Sequence, residues 1–373
     1  MSEDNPQGIA VVSFPIITAF TTPISNLSSI ISAISETFVI LGTPDQIYFQ
    51  NLSNSLQISA FPYQSGSSRI RQIFRYNALQ MRIISKLFSL RRDYKKIIFF
   101  MEFPPVLPMI FGKIFQYRIY WLLPSKISLS SESILSKVTI TLSKICYNLC
   151  NNIILYSPSL VSYWGLEKYC HKVLIAHEHF LNFRTFTVTT PLPDRPPLIG
   201  YIGRLSEEKG VQHFVQALPI ILSTYQDLRV LIGGNGQVEK AIEASLQAEK
   251  ITARVDLPGW ISHDDLPKYL NQLRLLVLPS YTEGLPNIML EAMACGTPVL
   301  ATPVGGVPDV LIDGETGFIM ENNSPECIAE NVIRALNSPD LERIAEDGRR
   351  FVEEHFTFKR TVENWKEILQ NID

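Results

Sequence analysis

The chain of 373 residues is longer than a single hydrophobic core usually supports, so two domains are expected, and 46% hydrophobic against 18% charged residues provides for sizeable cores. The net charge of −3 hides an asymmetry: residues 1–190 carry 17 Lys and Arg against 9 Asp and Glu (+8), and residues 191–373 carry 16 against 27 (−11). Five cysteines, an odd and sparse set, exclude a disulfide framework and point to a reducing cytoplasm.

A basic half beside an acidic one directs any anionic partner, such as a membrane surface or nucleic acid, to the first half; the other reading is an accident of surface composition. The start, Met-Ser-Glu-Asp, lacks the basic opening of a secretory signal, and residues 5–35 run uncharged but contain Pro15 and Pro23, reading as strand, loop and buried helix. Strands are expected at 9–14, 37–41, 96–101 and 152–156. The apolar run from Pro105 to Pro124 is broken by Lys113 and Arg118, so no segment reads as a membrane span. Cys146 and Cys150 stand at i and i+4, a spacing shared by a thiol pair, a metal-ligand pair and two small core residues; no metal is assigned to them.

Residues 69–92, RIRQIFRYNALQMRIISKLFSLRR, predict a basic amphipathic helix. At ~100° per residue, Arg71, Arg75, Arg82 and Lys86 fall in a ~60° stripe, with Ile70, Ile73, Phe74, Met81, Ile84 and Phe88 on the opposite side. The pattern suits a membrane-surface or acceptor-binding element, and equally a helix that covers a core and keeps a solvated basic face. No nucleic-acid motif accompanies it, so nucleic acid is not an expected partner.

Four prolines in TVTTPLPDRPP, 187–197, suggest a semi-rigid connector between domains 1–186 and 198–355. Beyond it, strands at 198–202, 228–232, 253–257, 275–278 and 298–301 alternate with helices near 209–224, 237–249, 264–272, 286–295 and 325–336. That alternation predicts a doubly wound α/β domain, and the first half opens the same way, so two Rossmann-like domains facing across a ligand-binding cleft are expected.

Three segments carry chemistry. In YIGRLSEEKG, 201–210, Gly203 turns the chain after a strand, Ser206 can cap a helix, and Arg204 and Lys209 stand at its start. A helix N-terminus disfavours cations unless an anion such as phosphate binds there; the competing reading is a solvated turn neutralised by Glu207 and Glu208. In LIGGNG, 231–236, Gly234 permits close backbone approach. In TEGLPNIMLE, 282–291, a helix starting at Pro286 leaves Glu283 in the preceding loop and Glu291 on the second turn. The amides of Gly284, Leu285 and Asn287 then form an anion nest between two carboxylates that can accept hydroxyl hydrogen bonds, a combination that phosphate plus sugar would use. The competing reading makes Glu283 a surface residue and Glu291 an arginine partner.

GRLSEEKG, LIGGNG, PGW and SYTEGLPNIMLEAMACGTPVLATPVGGVPDVLIDGETGF resemble, in order and spacing, the C-terminal half of retaining GT-B glycosyltransferases of the family-4 type, tightly over about 198–320. The resemblance implies a GT-B fold and a hexosyltransferase type of activity. Arg204 and Lys209 would hold the diphosphate of a nucleotide sugar, UDP- or GDP-linked, and Glu283 its sugar hydroxyls. Gly203, Gly234 and the stretch Gly284, Leu285, Pro286 and Asn287 would line sugar and phosphate, Glu291 the ribose, and Trp260, Ile261 and Leu266 the base. It also implies that the last helix, 356–373, crosses back onto the first domain. No metal or other cofactor is required, because Arg204, Lys209 and the helix end stabilise the departing diphosphate; adjacent Asp264 and Asp265 read as capping residues.

The first half departs from the family pattern: the loop after IAVVSF, PIITAFTTP, has no glycine, all six histidines lie beyond residue 170, and IAHEHFLNF stands where an Asn-Gly turn is usual. Glu102, just after the strand KIIFFM, stands roughly where the family's histidine is expected and is the candidate catalytic residue of that half; the competing reading makes it a plain buried or surface carboxylate. The expected function is sugar transfer from a nucleotide diphosphate to a lipid or lipid-linked glycan acceptor, in the cytoplasm or peripheral on the inner face of the cell membrane. The alternatives are a GT-B nucleotide-sugar epimerase and a non-catalytic GT-B partner subunit.

Overall fold

A computed structural model describes residues 8–14, 21–43, 56–63, 69–124 and 134–370. The chain divides into two compact units, Met1–His179 with Thr361–Asp373, and Phe180–Arg360.

The strands of the first unit are β1 (Gly8–Ser13), β2 (Thr37–Thr43), β3 (Gln57–Pro62), β4 (Tyr94–Phe100), β5 (Arg118–Leu122), β6 (Asn152–Leu155) and β7 (Val173–Ile175). They form one parallel sheet in the order β3-β2-β1-β4-β5-β6-β7. Its central strands are near-continuous apolar runs, as burial on both faces demands: β1 is buried throughout and β5 exposes only part of Arg118. The helices are α1 (Thr21–Ser32), α2 (Arg69–Leu90), α3 (Val106–Ile114), α4 (Ile134–Leu149) and α5 (Leu160–Trp164). The order reverses between β1 and β4, so the loop after β4, which carries Glu102, stands at the switch point of this sheet. The glycine-free loop after β1 falls largely on 15–20, outside the described residues.

In the second unit the strands are β8 (Leu198–Ile202), β9 (Arg229–Gly233), β10 (Val255–Gly259), β11 (Leu275–Leu278), β12 (Val299–Ala301) and β13 (Phe318–Ile319). All neighbours pair in parallel in the order β10-β9-β8-β11-β12-β13. Helices α6 (Val211–Thr224), α7 (Glu239–Ala248), α8 (Leu266–Leu270), α9 (Asn287–Ala294), α10 (Pro325–Leu336) and α11 (Leu341–His355) cover it. The switch point lies between β8 and β11, the strands that lead into the two charged motifs. Helix α12 (Phe358–Gln370) packs in the first unit: buried Trp365 donates its indole N–H to the His177 carbonyl at 2.8 Å, and Lys96 reaches the Leu369 carbonyl at 2.6 Å.

Two expectations need correction. The proline-rich stretch 187–197, expected as a semi-rigid connector, is a docked part of the second unit. Buried Arg195 donates to the Leu273 and Cys295 carbonyls and the Thr297 hydroxyl at 2.7–2.8 Å, and the Thr189 amide donates to Asn271 Oδ1 at 2.7 Å. On α2 the apolar side opposite the basic stripe is not the core side. Leu79, Ile83, Leu87 and Leu90 are buried, whereas Phe74, Met81 and Phe88 are 75%, 57% and 44% exposed; the side chains of Ile70 and Ile73 lie outside the described residues.

Candidate functional site

The loops after β8, β9 and β10 converge on the carboxyl edge of the second sheet because glycines let them touch. The Gly203 amide donates to the Gly233 carbonyl at 3.0 Å, Leu205 to Asn235 at 3.0 Å, and Gly234 to Gly259 at 2.7 Å. Gly234 sits at φ +126°, and a Cβ there would run into the Gly203 carbonyl oxygen, so this contact admits no side chain.

Ser206 does not cap a helix with its side chain. Residues Glu207–Lys209 form one 3₁₀ turn, and Gly210, at φ +66°, breaks the chain before α6 begins at Val211. That break raises Lys209 beside the loop after β11. Its ammonium binds both oxygens of Glu283, at 2.7 and 2.8 Å, and the Ser280 hydroxyl donates to Glu283 Oε1 at 2.7 Å. The pair is largely enclosed, with side-chain exposures of 21% for Lys209 and 10% for Glu283. Arg204 stays 64% exposed and approaches Glu208 at 3.4 Å. The cations are thus neutralised within the unit, Arg204 by Glu208 as one sequence reading had it, and Lys209 by Glu283, which neither reading anticipated.

Pro286 stands just before α9 with extended backbone and no side-chain cap, so Asn287 is the first helical residue. The first-turn amides of a helix have no intrahelical partners; within the segment Gly284–Asn287, where Pro286 has no N–H, the first such amide is that of Asn287, a few residues past Glu283. The backbone there is held from behind: the Gly306 amide donates to the Gly284 carbonyl at 2.6 Å, and Gly305, at φ +62°, leaves no room for a Cβ against the Glu283 carbonyl. Neither glycine was given a role from sequence, although both stand in the quoted VGGVPDV segment.

Glu291, buried on the second turn of α9, pairs with His263 rather than with an arginine: Nε2 lies 3.0 Å from Oε1. This hydrogen bond, opposed by partial burial and aided by the charges of Glu291 and Asp264, holds the His263 imidazole above its ordinary pKa. His263 was missed, although it stands close behind the quoted PGW, past Ile261 and Ser262. Asp265, expected as a capping residue, makes no side-chain cap to α8; its amide instead donates to the Ser262 hydroxyl at 3.1 Å, and that hydroxyl donates to its carboxylate. Of the residues expected near a base, Trp260 is 69% exposed, Leu266 is buried, and Ile261 reaches the space where Gly233 would carry a Cβ.

The structure therefore brings together Gly203, Lys209, Gly234, Glu283, the 284–287 segment and Glu291 at one sheet edge, with Arg204 at its rim. Glu102 lies in the first unit, half-buried. Its charge reaches the buried Tyr156, whose hydroxyl donates to Glu178 Oε1 at 2.7 Å. Burial pushes the Glu178 carboxyl up to about 7, against the Tyr156 hydrogen bond, and its second oxygen has no hydrogen-bond partner. Sequence reading marks the segment IAHEHFLNF as a departure from the family pattern and passes over its glutamate.

Residues 183–351 match the family model described as Glycosyl transferases group 1. The capsular polysaccharide biosynthesis glycosyltransferase CapM of Staphylococcus aureus is 33% identical over 161 residues, 43% of this chain and 42% of that protein. Alpha-D-kanosaminyltransferase of Streptomyces kanamyceticus is 34% identical over 158 residues, 42% of this chain and 41% of that protein. The chain thus matches less than half the length of these curated relatives. Among solved structures, Anabaena Alr3699/HepE in complex with UDP has a TM-score of 0.77 at 14% identity, covering 98% of this chain and 100% of that one. Sucrose-phosphate synthase from Thermosynechococcus elongatus has a TM-score of 0.74 at 18% identity, covering 98% and 99%. At such identities the likeness carries the fold, the pair of parallel-sheet α/β domains of GT-B architecture.

Proposed function

We propose that this chain, with a glycosyl transferases group 1 domain in its second half, transfers a sugar from a nucleotide diphosphate to an acceptor hydroxyl with retention of anomeric configuration. The observation that carries the reading is the Lys209–Glu283 pair at the sheet's switch point, beside the uncapped start of α9, with Glu291 on the next turn. A diphosphate would take its counter-charge from the third Lys209 donor, Arg204 and the α9 amides. Glu283 would accept from sugar hydroxyls and Glu291 from the ribose. UDP in the HepE structure favours a uridine nucleotide over the guanosine alternative.

Charge that develops on the departing diphosphate falls on groups already in position, so the reaction needs no metal ion in this reading. Glu283, bonded to an ammonium and a hydroxyl, is a poor general base; its role is to position the sugar. The acceptor is a lipid or lipid-linked glycan recognised through the first unit, with Glu102 as that unit's candidate contributor.

Thermal stabilisation by UDP-, GDP- and ADP-sugars tests the donor site. Product analysis follows with and without a hydroxyl acceptor, in the presence of EDTA. Transfer that depends on acceptor and withstands EDTA is expected. Conversion of the donor alone would assign an epimerase, and stabilisation without turnover on any acceptor would assign a non-catalytic subunit.

A further inference from the structure

The first unit carries an apolar surface that its described residues leave largely exposed. Helix α2 has two apolar rows, of which Leu79, Ile83, Leu87 and Leu90 face the interior. The second row, Phe74, Met81 and Phe88, repeats every seven residues on the outer side and is 75%, 57% and 44% exposed. Helix α3 lies against both α2 and α4 and extends this surface: the Phe88 ring meets Phe115 edge-on at 5.5 Å, and beyond it Ile110 and Ile114 are 40% and 69% exposed. On α4, Val138 and Ile145 are also exposed.

Charge supplies the second observation. Helices α2, α3 and α4 together contain eight Lys and Arg and no Asp or Glu (Arg69, Arg71, Arg75, Arg82, Lys86, Lys113, Lys137, Lys144). The Arg91 guanidinium lies over the exposed Phe88 ring, 3.8 Å from its centroid, with the cation beside an apolar group in the manner of interfacial side chains. No described helix is long and apolar enough to cross a membrane, so the arrangement suits lying on a bilayer rather than spanning one.

We propose that the outer face of α2 and α3, edged by the cations of α2, α3 and α4, docks the chain on an anionic lipid bilayer, with Phe74, Met81, Phe88 and Ile114 entering the headgroup boundary. A second copy of the chain fits poorly, because an isologous contact would set the cations of these helices against one another. Nucleic acid offers nothing to exposed aliphatic side chains such as Ile110 and Ile114. The surface belongs to the first unit alone and would bind lipid whether or not the donor site turns over.

The test is flotation of the full chain with vesicles of phosphatidylcholine alone or mixed with phosphatidylglycerol, at low and high salt. Binding is expected only to the mixed vesicles, to weaken as salt shortens the reach of the charges, and to fall at least about tenfold in the triple variant Phe74→Ser, Met81→Ser, Ile114→Ser. Unchanged melting of that variant separates lost docking from lost folding; should it fail to fold, Phe74→Ser alone is expected to weaken binding. Failure to float with phosphatidylglycerol at low salt, or flotation indifferent to the apolar changes, would overturn the proposal. So would light scattering that shows a dimer abolished by the same variants. Because flotation needs no turnover, its failure leaves the donor-site reading standing, and inactivity toward sugars leaves the docking surface standing.

Discussion

Lys209→Met removes the cation on which both the local structure and the donor site depend. In the ligand-free chain it leaves Glu283, 10% exposed, with the Ser280 hydroxyl as its remaining hydrogen-bond donor from this cluster. Losing one partner of a fully buried ion pair costs about 3–5 kcal/mol. Partial access to water and the surviving Ser280 bond reduce this to about 2 kcal/mol. For a unit of this size that lowers the melting temperature by about 4–8 °C. Adding Glu283→Gln removes the stranded charge, so the double variant should melt above Lys209→Met alone. In the same proteins, loss of a charge-assisted bond to diphosphate should weaken nucleotide-sugar binding by about 1.5–3 kcal/mol, ten- to a hundredfold in Kd. Calorimetry with UDP-sugars and thermal melts of the four-protein cycle read both effects. A Lys209→Met protein that melts and binds as wild type does, or a double variant no more stable than the single, would refute the pairing as the organiser of the site.

Gly234→Ala should lower stability by about 3 kcal/mol, since strain at φ +126° adds to collision with the Gly203 carbonyl, whereas Gly314→Ala, at φ +74° with open space around it, should cost only about 1 kcal/mol; urea midpoints of the two variants discriminate steric collision from backbone strain alone. The His263 imidazole should titrate above its ordinary value by NMR, and Glu291→Gln should lower that midpoint, because the hydrogen bond to Glu291 is the main cause of the shift. The sign follows: a raised imidazole pKa contributes stability below the unfolded value of about 6.5, and this is lost as pH rises through the folded one. Glu178 acts through a raised carboxyl pKa: the folded chain holds its proton up to about pH 7, so stability through this group falls as pH rises from about 4.5 to 7. Glu178→Gln should flatten that slope, by about 3 kcal/mol across the window, in urea titrations at successive pH values.

The second unit was readable from sequence because its ligand edge is written in contiguous segments. A glycine ends β8, Pro286 marks the start of α9, and the spacing from Glu283 to Glu291 puts the second carboxylate on the helix by geometry alone. Pairings between segments were not readable: Lys209 and Glu283 stand 74 residues apart, and neither periodicity nor composition records which carboxylate an ammonium will meet. The same applies to His263 and Glu291, 28 residues apart, and to the Arg195 anchor that turned an expected connector into part of a unit. Strands were missed where their pattern was weak: β3 is a partly exposed edge, β5 lay inside an apolar run that continued from α3, and β7 and β13 are three and two residues long.

Helix α2 marks the limit most clearly. Its apolar residues were found, but periodicity gives a stripe's direction relative to other stripes, not relative to a sheet that the helix has yet to meet. A helix with one apolar row has one way to lie on its domain; a helix with two has a choice. Here Leu79, Ile83, Leu87 and Leu90, closely spaced around one arc, take the interior, and the seven-residue row of Phe74, Met81 and Phe88 is left outside. Among the described residues Phe88 packs on Phe115, but Phe74 and Met81 stay 75% and 57% exposed, so the row serves the fold only at one end. That is why its exposure, next to cations with no acid among them, points to something beyond the chain.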